Sequence, residues 1–284
     1  MKRLAWKVLK IMSSGEYRTP NERAFDTIYK RRTWGGDGSK TSLSGSGSSL
    51  AESKNLCALL VNKVTWVAEL RRRPVPVRFL DAGMGDWFWM SDCLPKMAHA
   101  LPHGAKLHYQ GVDVASTAIA IASSRGRPVA TRLAGIVTIA PFLLVDLAVP
   151  GSLRSLPLPR YDLIMCNDAL MHLPTRDIVT ALHNINAVGG RLFITNTATA
   201  EPAPSFRGRL VRRGKQTKLR GGSRWQMSAI ETSPRINEDI PAGKFRGVDI
   251  KRPPFSVPGL RESVRSSTPD EQIEVALCLL TTDH

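Results

Sequence analysis

The chain has 284 residues, enough for one α/β domain of roughly 200 residues plus decorations. Lys and Arg number 40 and Asp and Glu 24, a formal net charge of +16; such a surface attracts nucleic acid, anionic membrane and acidic small molecules alike, so charge alone selects none of them. The four cysteines form no C-x-x-C pair and the six histidines show no ligand spacing, which argues against structural zinc, and no apolar run approaches the ~18 to 20 residues of a membrane span.

In chain order, Met1–Met12 places Leu4, Val8 and Ile11 at helical spacing among cations. It reads as a short amphipathic helix, the start of an organelle transit peptide or a frayed basic terminus. Residues Gly35 to Ser49 are rich in Gly and Ser and follow Phe25, Tyr29 and Trp34. Such a tract reads as a flexible linker; its backbone amides also suit a lid closing over a carboxylate, and the sequence does not choose between the two. Residues 1–49 are thus an N-terminal segment, and 50–284 a single domain opening with a helix that runs to about Leu70.

The organising stretch is Val77 to Met90, VRFLDAGMGDWFWM. An apolar strand ends at Asp81 and turns through Gly83 and Gly85 into a segment opening with Asp86. Glycines after a parallel strand let backbone approach a nucleotide-like ligand. The spacing lacks the third glycine of the dinucleotide fingerprint, which disfavours a nicotinamide cofactor. It also puts a carboxylate where a pyrophosphate would be repelled and an ammonium received. The cofactor this implies is S-adenosylmethionine, with Asp81, Gly83, Gly85 and Asp86 as its contacts. Trp87, Phe88 and Trp89 read as helix residues packing the core and the cofactor's methionine end.

The second strand, Leu107 to Asp113, also stops at an acid, and Asp113 is placed to accept hydrogen bonds from both ribose hydroxyls. Asp146, closing the third-strand segment Ile136 to Asp146, is the candidate for the adenine amino group. The fourth strand, within Tyr161 to Pro174, runs into Asn167, Asp168 and His172, which gather where ligands bind beyond strand carboxyl ends. Asn167 is assigned to the cofactor. His172 is the candidate general base, because imidazole titrates near neutral pH, and Asp168 would orient it or hold the acceptor. A helix from Pro174 to about Ala187 and a fifth strand ending near Asn196 follow. From Pro202 to Ile230 there are eight cations and no acid, which reads as a basic, disordered, solvated loop over about 200–233. Three of the four cysteines sit in apolar or helical context, so free buried thiols in a reducing, intracellular and cytoplasmic setting are expected.

Several uncommon blocks occur in order: Phe25, Ile28, Tyr29, Trp34, Gly35 and Ser44 to Ser48; Asp81, Gly85, Asp86, Trp89 and Met90; Gly111, Val112 and Asp113; Cys166, Asp168, His172 and Leu173; Asn237 to Ile240; and Pro253, Pro254, Phe255 and Pro258. In these the chain resembles class I S-adenosylmethionine-dependent methyltransferases, and within them a little-characterised group. The resemblance implies a Rossmann-like α/β fold, with a seven-stranded, mostly parallel sheet covered by helices on both faces. The last strand would be antiparallel, for which Glu274 to Leu280 is the candidate. It implies methyl transfer to an acceptor the group does not identify; a small metabolite is slightly favoured because the sequence carries no recognisable RNA-binding module. Asn167 stands where the group's pattern has Arg, and the basic segment looks like an insertion. The rival reading is an inactive methyltransferase-like scaffold binding RNA or another polyanion through residues 207–224.

Overall fold

The computed structural model describes residues 18–71, 75–190, 192–198, 236–250 and 252–255, and the backbone of strands at 260–265 and 273–278. The stretch 1–12 and the basic segment 200–233 lie outside the described residues.

Strand β1 (Val77–Ala82) runs parallel to β2 (Leu107–Asp113) on one side and to β5 (Leu163–Cys166) on the other. Beyond β2 lie β3 (Val137–Ile139) and β4 (Leu143–Leu144), both parallel to it. Pro141 falls between these two and has no N–H to give the ladder, so one third strand is split into two short pieces. The Gln110 side-chain amide bridges the break by donating to the Pro141 carbonyl (2.9 Å). Beyond β5 comes β6 (Leu192–Ala198), then β8 (Ile273–Cys278), antiparallel to both its neighbours, and β7 (Leu260–Arg265) at the edge. The order is β3-β2-β1-β5-β6-β8-β7 with β4 beside β2. Counting β3 and β4 as one strand, this is the expected mostly parallel seven-stranded sheet, and β8 supplies the antiparallel strand.

Both sheet faces are covered, so strand residues alternate between two apolar cores rather than between core and water. Val77, Phe79, Leu107, Tyr109, Leu163 and Met165 pack into one core, against α2 (Lys54–Glu69) and α3 (Met90–Ala100). Leu80, Ala82, Val112, Ile164, Cys166 and Phe193 pack into the other, where α5 (Thr175–Ala187) presents Ile178, Ala181 and Ile185 at helical spacing. Among the described residues no helix is long and apolar enough to cross a membrane.

Two expectations are corrected. Trp87, Phe88 and Trp89 precede α3 rather than forming its first turn, and Trp87 has φ 59°, in the left-handed region. That sharp reversal drops the Trp87 indole wholly into the core, where its Nε1–H donates to the Tyr109 hydroxyl (2.8 Å). Cys57 and Cys93 are not free thiols: they form a disulfide joining α2 to α3, with Cα atoms 5.7 Å apart. The sequence hides this because the partners are 36 residues apart on different helices. Cys166 is free and buried as expected.

The N-terminal segment is part of the same packed body. Helix α1 (Pro20–Arg31) starts at Thr19, whose Oγ1 accepts the Glu22 N–H (3.0 Å), and buries Phe25 and Tyr29 in the second core. Its Asp26 reaches the start of α4 (Ser116–Arg132) and accepts from Ser116 Oγ (3.0 Å) and Thr117 N–H (2.8 Å). Burial alone would raise this carboxyl, but Lys30 and these donors hold it down at about 2, so an ionised cap sits on the positive end of α4.

The Gly/Ser tract after α1 is pinned as a lid. An Asp37 turn, with Oδ1 accepting N–H bonds from Ser39, Lys40 and Thr41 (2.7, 2.8 and 3.0 Å), leads it to Asp86. The buried Asp86 carboxylate accepts from Ser42 Oγ (2.8 Å), Leu43 N–H (2.8 Å) and Ser44 Oγ (3.1 Å). Arg125 completes the knot, with Nη1 2.8 Å from Asp86 Oδ2 and Nη2 donating to the Gly38 carbonyl (2.6 Å). Removing one partner of a buried, hydrogen-bonded ion pair costs about 3 to 5 kcal/mol. Asp86→Ala is therefore expected to lower unfolding free energy by about that amount in urea titrations and to make the 35–49 segment a preferred protease site; an unchanged digestion pattern would show the lid is held otherwise.

Candidate functional site

Beyond the carboxyl ends of β1, β2 and β5, on either side of the point where strand order reverses, lies a cleft roofed by the lid. All the sequence-predicted site residues except Asp86 line it: Asp81, Gly83, Gly85, Asp113, Asp146, Asn167, Asp168 and His172. Asp86 lies outside this lining, and its oxygens hold the lid.

The glycine turn is fixed by close approach. At Gly83 (φ +85°) a Cβ would stand 2.7 Å from Ala169 Cβ, and at Gly85 (φ +61°) 2.4 Å from Ser44 Oγ, so neither position has room for a side chain. The Gly85 N–H donates to Asp113 Oδ2 (2.9 Å) and the Ala115 N–H to Oδ1 (2.8 Å), which locks the end of β2 to the turn after β1. Each carboxylate oxygen keeps a further lone pair for a ligand hydroxyl.

Asp81 accepts a short hydrogen bond from Tyr109 Oη, itself held by Trp87, making a buried Trp–Tyr–Asp chain. Burial, opposed by the Tyr109 hydrogen bond and reinforced by the Asp113 charge, pushes Asp81 up to about 7. Burial likewise raises Asp113 to about 6 against its backbone donors. Two neighbouring acids thus titrate close to neutral pH at the floor of the cleft. Asp146 lies at the far end, its Oδ1 accepting from Ala148 N–H (2.9 Å) and Asn21 Nδ2 (3.3 Å). The loop that carries it is latched by buried Asn184, which donates to the Leu147 and Val149 carbonyls (2.8 and 2.7 Å).

At the other end, Asp168 occupies the left-handed region (φ 53°). Its carboxylate accepts from Asn196 Nδ2 (2.5 Å) and Asn167 Nδ2 (3.0 Å), while its own N–H donates to Asn196 Oδ1 (2.9 Å). The short helical turn Ser46–Ser48 of the lid comes down beside it, so that a Cβ on Gly47 would lie 3.1 Å from Asp168 Oδ2.

His172 stacks against Trp34 of the lid, with ring centroids 4.7 Å apart. Its Nδ1–H donates to the Lys244 carbonyl (2.8 Å), which can only accept, so Nε2 is the unprotonated nitrogen. Asp168 therefore does not orient the ring through Nδ1. Nor does the imidazole titrate near neutrality as expected. Burial, and the charge of nearby Arg246, overcome the Lys244 hydrogen bond and lower it to about 4. Arg246 is wholly buried and donates through Nη1 to the Leu173 carbonyl (2.7 Å), clamping the turn that bears His172.

Sequence reasoning missed the lining roles of Trp34, Ser44 and Ser48, the Asn196 support and the Lys244 to Arg246 clamp. The lid block was visible as a pattern of residue types, but nothing in it says which sheet positions it covers.

No family model and no curated protein matches the chain. Among solved structures, magnesium protoporphyrin IX methyltransferase (ChlM) from Synechocystis PCC 6803 with bound SAH is 16% identical over 91% of this chain and 96% of that chain, with a TM-score of 0.51. The same protein with bound SAM gives 15% identity over 91% and 94%, with a TM-score of 0.47. The citrinin polyketide synthase CMeT domain gives 16% over 79% of this chain and 53% of that chain, with a TM-score of 0.48. At these identities the likeness is one of architecture: the chain has the Rossmann-like fold of the class I methyltransferases.

Proposed function

We propose that the chain is a methyltransferase that binds S-adenosylmethionine and transfers its methyl group to a small acceptor held beneath the lid. The observation that carries this reading is the ordering of groups along one cleft. Asp146 follows β4, Asp113 ends β2, Asp81 lies in β1 and Asp168 and His172 follow β5, so the strand order sets these cleft residues out in that sequence across the carboxyl edge of the sheet, with Trp34 against His172. The cofactor offers donors in the matching chemical order: an ammonium for Asp81, ribose hydroxyls for Asp113 and an adenine amino group for Asp146. Asn167, also lining the cleft, is assigned beside the methionine end. When bound, the sulfonium supplies an activated methyl, which leaves the protein to align the acceptor and take its proton.

His172 Nε2 is the group that receives that proton. Because its imidazole is neutral throughout the physiological range, it accepts a hydrogen bond from a hydroxyl or amine without first having to deprotonate. Its low basicity suits an acceptor whose proton leaves late, as carbon–nucleophile bonding develops. Asp168, braced by two asparagines, holds the acceptor's polar end. A cleft covered by Tyr29, Trp34 and Ser44 favours a compact acceptor over a polymer strand.

Calorimetric titration with S-adenosylhomocysteine is expected to show binding that weakens about 100-fold in Asp113→Ala, two charge-assisted hydrogen bonds being lost; no binding to the intact chain would sink the cofactor reading. Affinity for S-adenosylmethionine is expected to rise with pH through about 7, since the ionised form of Asp81 pairs with the ammonium. Asp81→Asn should bind more weakly and lose the rise centred near pH 7, keeping only the part near pH 6 that belongs to Asp113; a wild-type profile that is already flat around pH 7 would count against the pairing. With an acceptor in hand, His172→Ala should slow single-turnover transfer about 100-fold with cofactor affinity nearly intact; equal rates would remove His172 from the chemistry.

A further inference from the structure

A second cavity opens between α2 and α3, lined by Cys57 and Cys93 together with Val61, Lys54, Lys96 and Trp89. Trp89 also lines the cofactor cleft, so one side chain forms a wall of both spaces. It is 7% exposed and is followed directly by α3, whose fourth residue is Cys93. The disulfide to Cys57 therefore fixes the start of α3 against α2, and with it the Trp89 wall.

We propose that Cys57–Cys93 is a thiol–disulfide exchange site that sets the shape of the cofactor cleft through Trp89. This rests on the cofactor reading only for the affinity by which it is most simply measured. Of the two residues, Cys57 is the more accessible, at 7% against 1% for Cys93. A small thiolate entering the second cavity attacks Cys57 Sγ; the S–S bond breaks and its electron pair leaves on Cys93 Sγ. Cys93 lies in the first turn of α3, where the positive end of the helix favours a departing thiolate. A second thiolate then attacks the mixed disulfide at the small molecule's sulfur. The products are a Cys57 thiol and the oxidised small disulfide, two electrons having passed to the protein, and solvent protonates the two cysteine sulfurs. Lys54 and Lys96, the latter paired with Asp92 (2.5 Å), place cations around the opening, which suits a thiol that carries carboxylates, such as glutathione.

Once the bond is open, the beginning of α3 is held to α2 by packing alone. The two thiol sulfurs need van der Waals separation in place of a bond, which pushes the start of α3 and Trp89 away from α2, and the cleft loses a fixed wall. The oxidised chain is thus the tight-binding form.

The test uses the full chain. Peptide mapping after alkylation without reductant should recover a Cys57–Cys93 linked peptide that disappears on treatment with glutathione; failure to find it in protein oxidised with glutathione disulfide would overturn the proposal. Calorimetry with S-adenosylhomocysteine is then run on the oxidised chain, the glutathione-reduced chain and Cys57→Ser/Cys93→Ser. The expected result is about tenfold weaker binding in the last two, within the usual range of coupling between sites; equal affinity in all three would overturn it. If no form binds, the cofactor reading has failed, and the switch is read instead by amide hydrogen exchange across 86–93. Faster exchange on reduction supports it, and identical exchange overturns it.

Discussion

The structure depends most on one buried carboxylate beneath the lid. Asp86 is buried at 1% exposure between the lid and α4, and a buried charge is tolerated only when its lone pairs are filled. They are filled by the lid itself, through Ser42, Leu43 and Ser44, and by Arg125. Without the lid the acid would be largely unsatisfied, and without the acid the glycine-rich tract would have little to order it. Closing the cleft and neutralising Asp86 are therefore one event, which is why a stretch with the composition of a linker is found packed.

From that knot the two ends of the cleft take their geometry. Ser44 accepts the Asp86 N–H (3.0 Å) and lies 2.8 Å from the Tyr29 hydroxyl, so the lid, α1 and the turn after β1 are held together. Ten residues before Ser44, Trp34 rests on His172, while Lys244 and Arg246 grip the His172 turn from the other side. The imidazole sits between elements far apart in the chain, and its neutrality follows from their closing over it. Strained backbone marks the same region, at Trp87 and Asp168, where non-glycine residues hold positive φ because surrounding bonds over-determine them.

The acids of the cleft show a second consequence of closure. Asp81 and Asp113 lie at the ends of adjacent strands that pair from Val77/Leu107 to Ala82/Val112. Desolvation raises both toward neutrality, aided at Asp81 by the Asp113 charge and at Asp113 by the Asp86 charge, which would be a defect in a purely structural site. A cationic ligand with hydroxyl donors relieves it. In the proposed function, the electrostatic discomfort of the ligand-free cleft is part of what the cofactor's binding energy offsets.

The sequence by itself determined the central strands, the glycine turn and the acids that end β1 and β2, though not the edge strand β7 or the break in the third strand, because these central features depend on local patterns: apolar runs, left-handed turns and strand ends recur at fixed spacing. It also placed Asp146, Asn167, Asp168 and His172 beyond strand ends, and in a parallel α/β sheet that is enough to bring them to one cleft. Tertiary structure alone decided how each side chain is used. Asp86 holds the lid because Arg125 and Ser42 approach it from distant segments. His172 loses its ordinary titration because burial, which no spacing encodes, outweighs the imidazole's intrinsic basicity. Cys57 and Cys93 pair because two helices cross with their cysteines facing. Each outcome is set by contacts between residues tens of positions apart, and such contacts exist only once the chain has folded.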